Sequence, residues 1–142
     1  IIKGVLHSSM GAAPFVSTFI AIALIPVAFL FTHAYLSGKR HLPYHKLTGT
    51  VGILWDLSAS LFYMIFRVGT QVTGGDLIYG ATHGTVAAIV ILLEFIVLGT
   101  GVLQWRTGKK SSIHKKTTPI LYVLWFIAFL SGEAFYVIHY LL

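Results

Sequence analysis

The sequence predicts an all-α integral membrane protein, an up-down bundle of four helices, and three observations support this. Of 142 residues, 56% are hydrophobic and only 10% are charged, unlike an ordinary soluble domain. The apolar residues form four runs, and a helix of such length crosses a hydrocarbon layer of about 30 Å. Basic residues gather between the runs. We expect one transmembrane domain over residues 1–142, with spans at 14–36, 45–67, 81–105 and 117–142.

The first two runs differ in where they carry their unusual residues. In run 14–36, Pro26 lies near the middle, and we expect a kink there because proline has no N–H to donate. In run 45–67, small and polar residues recur at steps of three or four, which places them on one stripe of a helix. Because an aspartate facing lipid is costly, we expect that stripe to face protein, with aliphatic residues such as Ile53 and Leu57 covering the rest. The stripe comprises His45, Gly49, Gly52, Asp56, Ser60, Tyr63 and Arg67.

The third and fourth runs follow loops of different character. Residues 68–80 are rich in glycine, which is typical of a loop. Run 81–105 has His83 near its start and Glu94 eleven residues later, about 16 Å deeper at helical rise. A basic loop, 106–116, contains His114 and leads into run 117–142. No soluble domain and no sequence repeat is evident.

The basic residues predict the orientation of the bundle. Lys3 and Arg67 lie on one side, and the other eight lie on the side of the first and third loops: Lys39, Arg40, Lys46, Arg106, Lys109, Lys110, Lys115 and Lys116. Because positive loops stay in the cytoplasm, we expect both termini outside the cytoplasmic (inner) membrane. The net charge of +6 is thereby explained by topology. We therefore expect lipid and other membrane subunits as partners, and no nucleic acid.

The residues that are missing exclude several kinds of chemistry. There is no cysteine, which excludes disulfides, thiolate zinc sites and iron–sulfur clusters. No serine, cysteine or phosphate-loop constellation suggests a hydrolase, protease or kinase. Any metal would have to be bound by histidine or carboxylate. A redox or accessory subunit is therefore favoured over a stand-alone enzyme.

The histidines fall into two layers when the four spans are threaded through a bilayer. His33, His41, His45 and His114 lie towards the cytoplasm, and His7, His83 and His139 lie towards the outside. Two imidazoles facing each other across helices are how a membrane b-type cytochrome holds haem. The better pair is His83 with His139, because Gly84 and Gly132 leave space and Glu133 can orient an imidazole. His33 with His45 is the second pair. The same histidines suit copper or zinc, and helix packing with no cofactor is the remaining alternative.

Two carboxylates are expected at the middle of the membrane. Asp56 and Glu94 lie on adjacent antiparallel spans at a similar depth, so the two groups can meet. An unpaired carboxyl in a low-dielectric interior takes up a proton, and two close together can share one. Asp56, Glu94 and Glu133 are therefore candidates for a proton relay. A structural role is the alternative, with Asp56 bonded to neighbours such as Trp55 or Ser60, or Glu94 bonded to another subunit.

Three motifs together resemble a known family. They are LPYHKLTGTVG, LIYGATHGTVA and IHKKTTPILYVLWFIAFLSGEAFYVIHYLL. The chain resembles a family of small four-helix membrane proteins of undefined function found beside haem–copper oxidases. The resemblance implies that His45, His83 and His114 are recurrent histidines, and that the task is haem or copper handling in oxidase maturation. A weaker likeness to membrane b-type cytochromes rests on histidines at helix ends alone.

Three functions remain open from the sequence. The first is a haem b electron-transfer subunit of a respiratory or redox complex, with a redox partner. The second is a handling factor for haem or copper. The third is an accessory subunit that packs within a larger membrane complex.

Overall fold

The computed structural model describes residues 12–41, 43–70 and 77–141, with side chains described at 15–41, 43–65, 78–138 and 140–141. The described chain contains five α-helices, α1 to α5, and a final π-helical turn at Val137–Leu141. In chain order the helices are α1 (Ala12–Ala23), α2 (Ile25–Lys39), α3 (His45–Thr70), α4 (Leu77–Thr107) and α5 (Ser112–Tyr136). Helices α1 and α2 together make the first span, so four helical spans are long and apolar enough to cross a membrane. The all-α, four-helix prediction is confirmed.

Where the sequence predicted a kink near Pro26, the first span is divided at Leu24 into α1 and α2. Pro26 lies in the first turn of α2, where a missing N–H is tolerated. The chain remains joined across the break because the Leu24 N–H donates to Ile20 O at 3.2 Å and the Ala28 N–H donates to Leu24 O at 3.2 Å.

Contacts between side chains show that the neighbouring spans are antiparallel. The end of the first span meets the start of α3, the end of α4 meets the start of α5, and the first span runs antiparallel to α5. The Lys46 ammonium lies 5.6 Å from the Trp105 ring centre, which joins the start of α3 to the end of α4. The spans therefore close into a bundle.

Two helices begin earlier than the sequence predicted. Helix α4 begins at Leu77 rather than residue 81, and α5 begins at Ser112 rather than 117. The reason at α5 is an N-terminal cap, because the Ser111 side chain accepts a hydrogen bond from the His114 N–H. The predicted basic loop therefore shrinks to residues 108–111, with Gly108 at a φ of 69°. His114 lies in a helix and not in a loop.

The core is mainly aliphatic and aromatic, and the outer surface also carries many large apolar side chains. Phe29 is 74% exposed and Ile78 is 75% exposed, as suits a surface that faces lipid. Contrary to the prediction for α3, Ile53 and Leu57 are buried. The buried face of α3 is wider than the polar stripe because α3 packs against both the first span and α4.

Candidate functional site

His45 and His114 are held in the same way, each by a backbone carbonyl of the preceding span. His45 Nδ1 lies 2.6 Å from Ala34 O, and His114 Nδ1 lies 3.0 Å from Val97 O. Because a carbonyl oxygen can only accept, Nδ1 carries the proton in both rings. In the neutral imidazole, Nε2 then has the free lone pair.

Each of these two rings also rests on a glycine. A Cβ built on Gly38 would lie 2.6 Å from His45 Cε1, and one built on Gly101 would lie 3.0 Å from His114 Cε1. In both spans the glycine follows the accepting carbonyl by four residues, which is about one helical turn. A larger residue at position 38 would force the His45 ring to move, and one at position 101 would press on the His114 ring, which would have to give by a few tenths of an ångström.

The His45 and His114 rings lie next to each other, edge to face, at one end of the bundle. Their centres are 6.2 Å apart, and their planes are nearly perpendicular, at 80°. Both side chains are half-buried. The pair lies beside the two short connections, residues 40–44 and 108–111, because each histidine stands at the start of its helix.

The two hairpins of the bundle repeat one arrangement, although no repeat was predicted. His45 begins the segment HKLT and His114 begins HKKT. Asp56 follows His45 by eleven residues, and Trp125 follows His114 by eleven. The Trp125 Nε1–H donates to Asp56 Oδ1 at 3.0 Å, so these equivalent positions meet at the bundle centre. The short HK-x-T match, with a glycine on each preceding helix, was the sequence signal that could have revealed the pair.

His33 does not join the pair. Its ring is exposed, and Nδ1 lies 3.0 Å from Thr48 Oγ1. Thr48 donates its own proton to Tyr44 O at 3.0 Å, so it accepts from His33. The structure thus brings His45 to His114, while His33, its partner in the second predicted pair, stands on the outer surface of the bundle.

His83 occupies the opposite end of the bundle. Its Nδ1 lies 3.1 Å from Ser131 Oγ, and Ser131 donates to Ala128 O, so Nδ1 is again the donor. The ring stacks on Tyr79, with centres 5.4 Å apart. The predicted orienting acceptor was Glu133, and the structure places the Ser131 hydroxyl in that role.

The predicted partner of His83 is His139, whose side chain lies outside the described residues. A Cβ built on Gly132 would lie 3.4 Å from His83 Cε1, so His83 is level with Gly132. His139 follows Gly132 by seven residues, about two turns along the helix. The pairing of His83 with His139 stays a prediction. His7 also lies outside the described residues.

Two buried carboxyl groups occupy the middle of the bundle. Asp56 is 2% exposed and Glu94 is 0% exposed, and the two carboxyl groups lie next to each other. The prediction that Asp56 faces the interior is confirmed. Its partner is Trp125, whereas Trp55 donates to Ala23 O at 2.9 Å.

A metal centre in the described part of the chain would use few protein ligands. Within residues 15–41, 43–65, 78–138 and 140–141, no three His, Asp or Glu side chains group together as a metal site. His45 and His114 offer two imidazoles, which leaves coordination positions for further ligands. Comparisons with known protein families, curated proteins and solved structures gave no match for this chain.

Proposed function

We propose that this protein handles copper or haem iron within a membrane, and that His45 and His114 form its metal-binding pair. The observation that carries the proposal is the shared geometry of the two rings. Each donates its Nδ1–H to a backbone carbonyl of the preceding span, and the ring centres are 6.2 Å apart.

This geometry is the one that metal-ligating histidines adopt. A ligating imidazole donates its other N–H to a carbonyl or carboxylate, which fixes the tautomer and the ring orientation. Metal–nitrogen bonds of about 2 Å place two imidazoles on one ion with centres about 5–6 Å apart. Imidazole suits copper, iron and zinc, and the chain has no cysteine that would compete as a ligand.

A site with only two protein ligands favours transfer of the metal over its permanent storage. A structural metal site closes all of its coordination positions, whereas a site with open positions exchanges ligands. A bound copper or iron would supply Lewis acidity or one-electron chemistry at this place. The chain's own contribution is to hold both Nδ1 protons away from the metal side. The resemblance to a family found beside haem–copper oxidases supports the same task.

A haem b electron-transfer subunit is the second candidate, through His83 and His139. It is favoured by His83 itself, whose Nδ1 is occupied by Ser131 so that Nε2 has the lone pair. Such a subunit would pass electrons to a partner in a respiratory or redox complex. A protein that binds neither metal nor haem would leave the third function, an accessory subunit of a larger membrane complex.

Metal binding by purified variants tests the first candidate. We expect wild-type protein in detergent to bind one equivalent of Cu(I) or haem. His45→Ala and His114→Ala should each lower the affinity by about 100-fold or more, because changes in a ligand's supporting residues alone cost about 10–100-fold. His41→Ala is the matched control, since His41 is exposed in the connection between α2 and α3.

The outcomes separate the candidates. Equal affinities in wild type, His45→Ala and His114→Ala would exclude this pair as the site. A b-type reduced-minus-oxidised spectrum that is lost in His139→Ala and kept in His45→Ala would instead support the second candidate.

We further propose that the spans lie in the cytoplasmic membrane with both termini outside, which puts the His45–His114 pair on the cytoplasmic side. The support is the excess of lysine and arginine in the segments around Lys39 and Lys110. A reporter fused after Leu142 should be active only outside the cell. Activity of that reporter in the cytoplasm would show that the protein has the opposite orientation.

A further inference from the structure

We infer that Asp56 and Glu94 form a proton-binding site at the bundle centre, in which a Glu94 carboxylic acid donates a hydrogen bond to the Asp56 carboxylate. This site is independent of the metal pair. Asp56 follows His45 by eleven residues, so it lies about 16 Å from the histidines along the helix.

The Glu94 side chain lies in an environment that disfavours a charge. Glu94 is 0% exposed, and among the described residues neither of its carboxyl oxygens has a hydrogen-bond partner. A buried polar atom without a partner is costly, and a buried charge without a partner is costlier still. A proton on Glu94 removes the charge and creates a donor where none existed.

The two carboxyl groups lie in a bundle core that is otherwise mainly apolar and aromatic. The first span contributes the Phe31 ring, and α5 contributes Trp125, whose ring centre lies 5.0 Å from that of Phe31. No lysine, arginine or histidine among the described side chains pairs with Asp56 or Glu94. Among the described side chains, Asp56 and Glu94 are therefore the acidic pair of this layer, and no basic side chain joins them.

One proton is enough to complete the hydrogen bonding between the two carboxyl groups. Asp56 Oδ1 already accepts from the Trp125 Nε1–H at 3.0 Å. The Asp56 carboxylate also lies beside Glu94 and has lone pairs left to accept a hydrogen bond from a Glu94 O–H. Binding takes one proton from water and lowers the charge of the pair from two negative charges to one, and release returns that proton to water. No other group is consumed.

A metal cation fits this layer less well than a proton. Hard cations are held by about six or more oxygen ligands, whereas the buried core cluster of the described residues consists of aliphatic and aromatic side chains. A proton needs only the two oxygens that are present.

Carbon-13 NMR of labelled wild-type protein tests the inference, because the chain has few carboxyl side chains. Its only glutamates are Glu94 and Glu133, and its only aspartates are Asp56 and Asp76. With glutamate labelled at the carboxyl carbon, we expect one signal at the shift of a carboxylic acid near neutral pH. That signal should vanish in Glu94→Gln and remain in the control, Glu133→Gln. With aspartate labelled, the Asp56 signal should be that of a carboxylate.

A second variant keeps the test valid if Glu94→Gln fails to fold. Asp56→Asn replaces the carboxylate by a weaker neutral acceptor, so the Glu94 signal should shift while Glu133 is unchanged. A Glu94 signal typical of a carboxylate between about pH 5 and 9 would overturn the inference, as would an Asp56 signal typical of an acid. A Glu94 signal that moves when sodium or potassium ions are added at fixed pH would overturn the inference, because it would show that the site binds a metal cation instead of a proton.

Discussion

Replacing Trp125 by alanine is expected to destabilise the bundle by about 3–5 kcal/mol, the usual range for loss of a large buried aromatic side chain. Trp125 is 2% exposed. Its ring centre lies 5.0 Å from that of Phe31 and 4.9 Å from that of Phe129. It also donates the Nε1–H to Asp56, so its removal leaves a buried carboxyl without that donor, which places the expected loss at the upper end of this range.

Thermal unfolding in detergent measures this loss, and Trp105→Ala is its matched control. Trp105 is 65% exposed near the end of α4, so its loss should change the unfolding temperature little. Trp125→Phe keeps most of the packing and removes only the donor, so it should fall between the two. Equal unfolding temperatures for Trp125→Ala and Trp105→Ala would contradict the central position of Trp125.

The inward direction of Asp56 could be predicted because the membrane makes the alternatives expensive. An ionisable residue flanked by Gly52 and Ser60 has only one favourable side of the helix to occupy, and the structure buries it. The four spans follow from the same principle, since runs of apolar residues of this length have few other stable environments. Solvation energy alone is enough for both predictions.

The His45–His114 pair could not be predicted in the same way because it depends on where helices begin. The basic residues after His114 suggested a loop, whereas the Ser111 cap starts α5 before it. Capping contributes only about 1 kcal/mol, and charge patterns easily conceal it in a sequence. Likewise, the residue that orients His83 is Ser131 and not Glu133. The rotation of α5 about its axis places the Ser131 side chain, on the side of α4, within hydrogen-bond distance of His83. Sequence chemistry favoured the stronger acceptor, but packing decided between the two.

The final prediction concerns Gly38, and it rests on the proposed metal function. A Cβ at Gly38 would lie 2.6 Å from His45 Cε1 and 2.8 Å from His45 Nδ1. Real atoms do not approach so closely, so the imidazole must turn away in Gly38→Ala and its hydrogen bond to Ala34 O must lengthen or break. We expect the affinity for Cu(I) or haem to fall by about 10–100-fold, as it does when the residue that orients a metal ligand is removed.

Gly99→Ala is the matched control, because a Cβ on Gly99 would meet nothing within 4 Å. A direct readout that does not depend on metal is nitrogen-15 NMR of the His45 ring, which reports which nitrogen carries the proton. In the wild type and in Gly99→Ala that nitrogen should be Nδ1, and in Gly38→Ala the proton should be distributed over both nitrogens. Gly101→Ala should act on His114 in the same direction but less strongly, since its Cβ would lie 3.0 Å from His114 Cε1. An unchanged His45 tautomer in Gly38→Ala would show that Gly38 does not position the ring. A changed tautomer with an unchanged affinity would show that Gly38 positions the ring but that this position does not matter for metal binding.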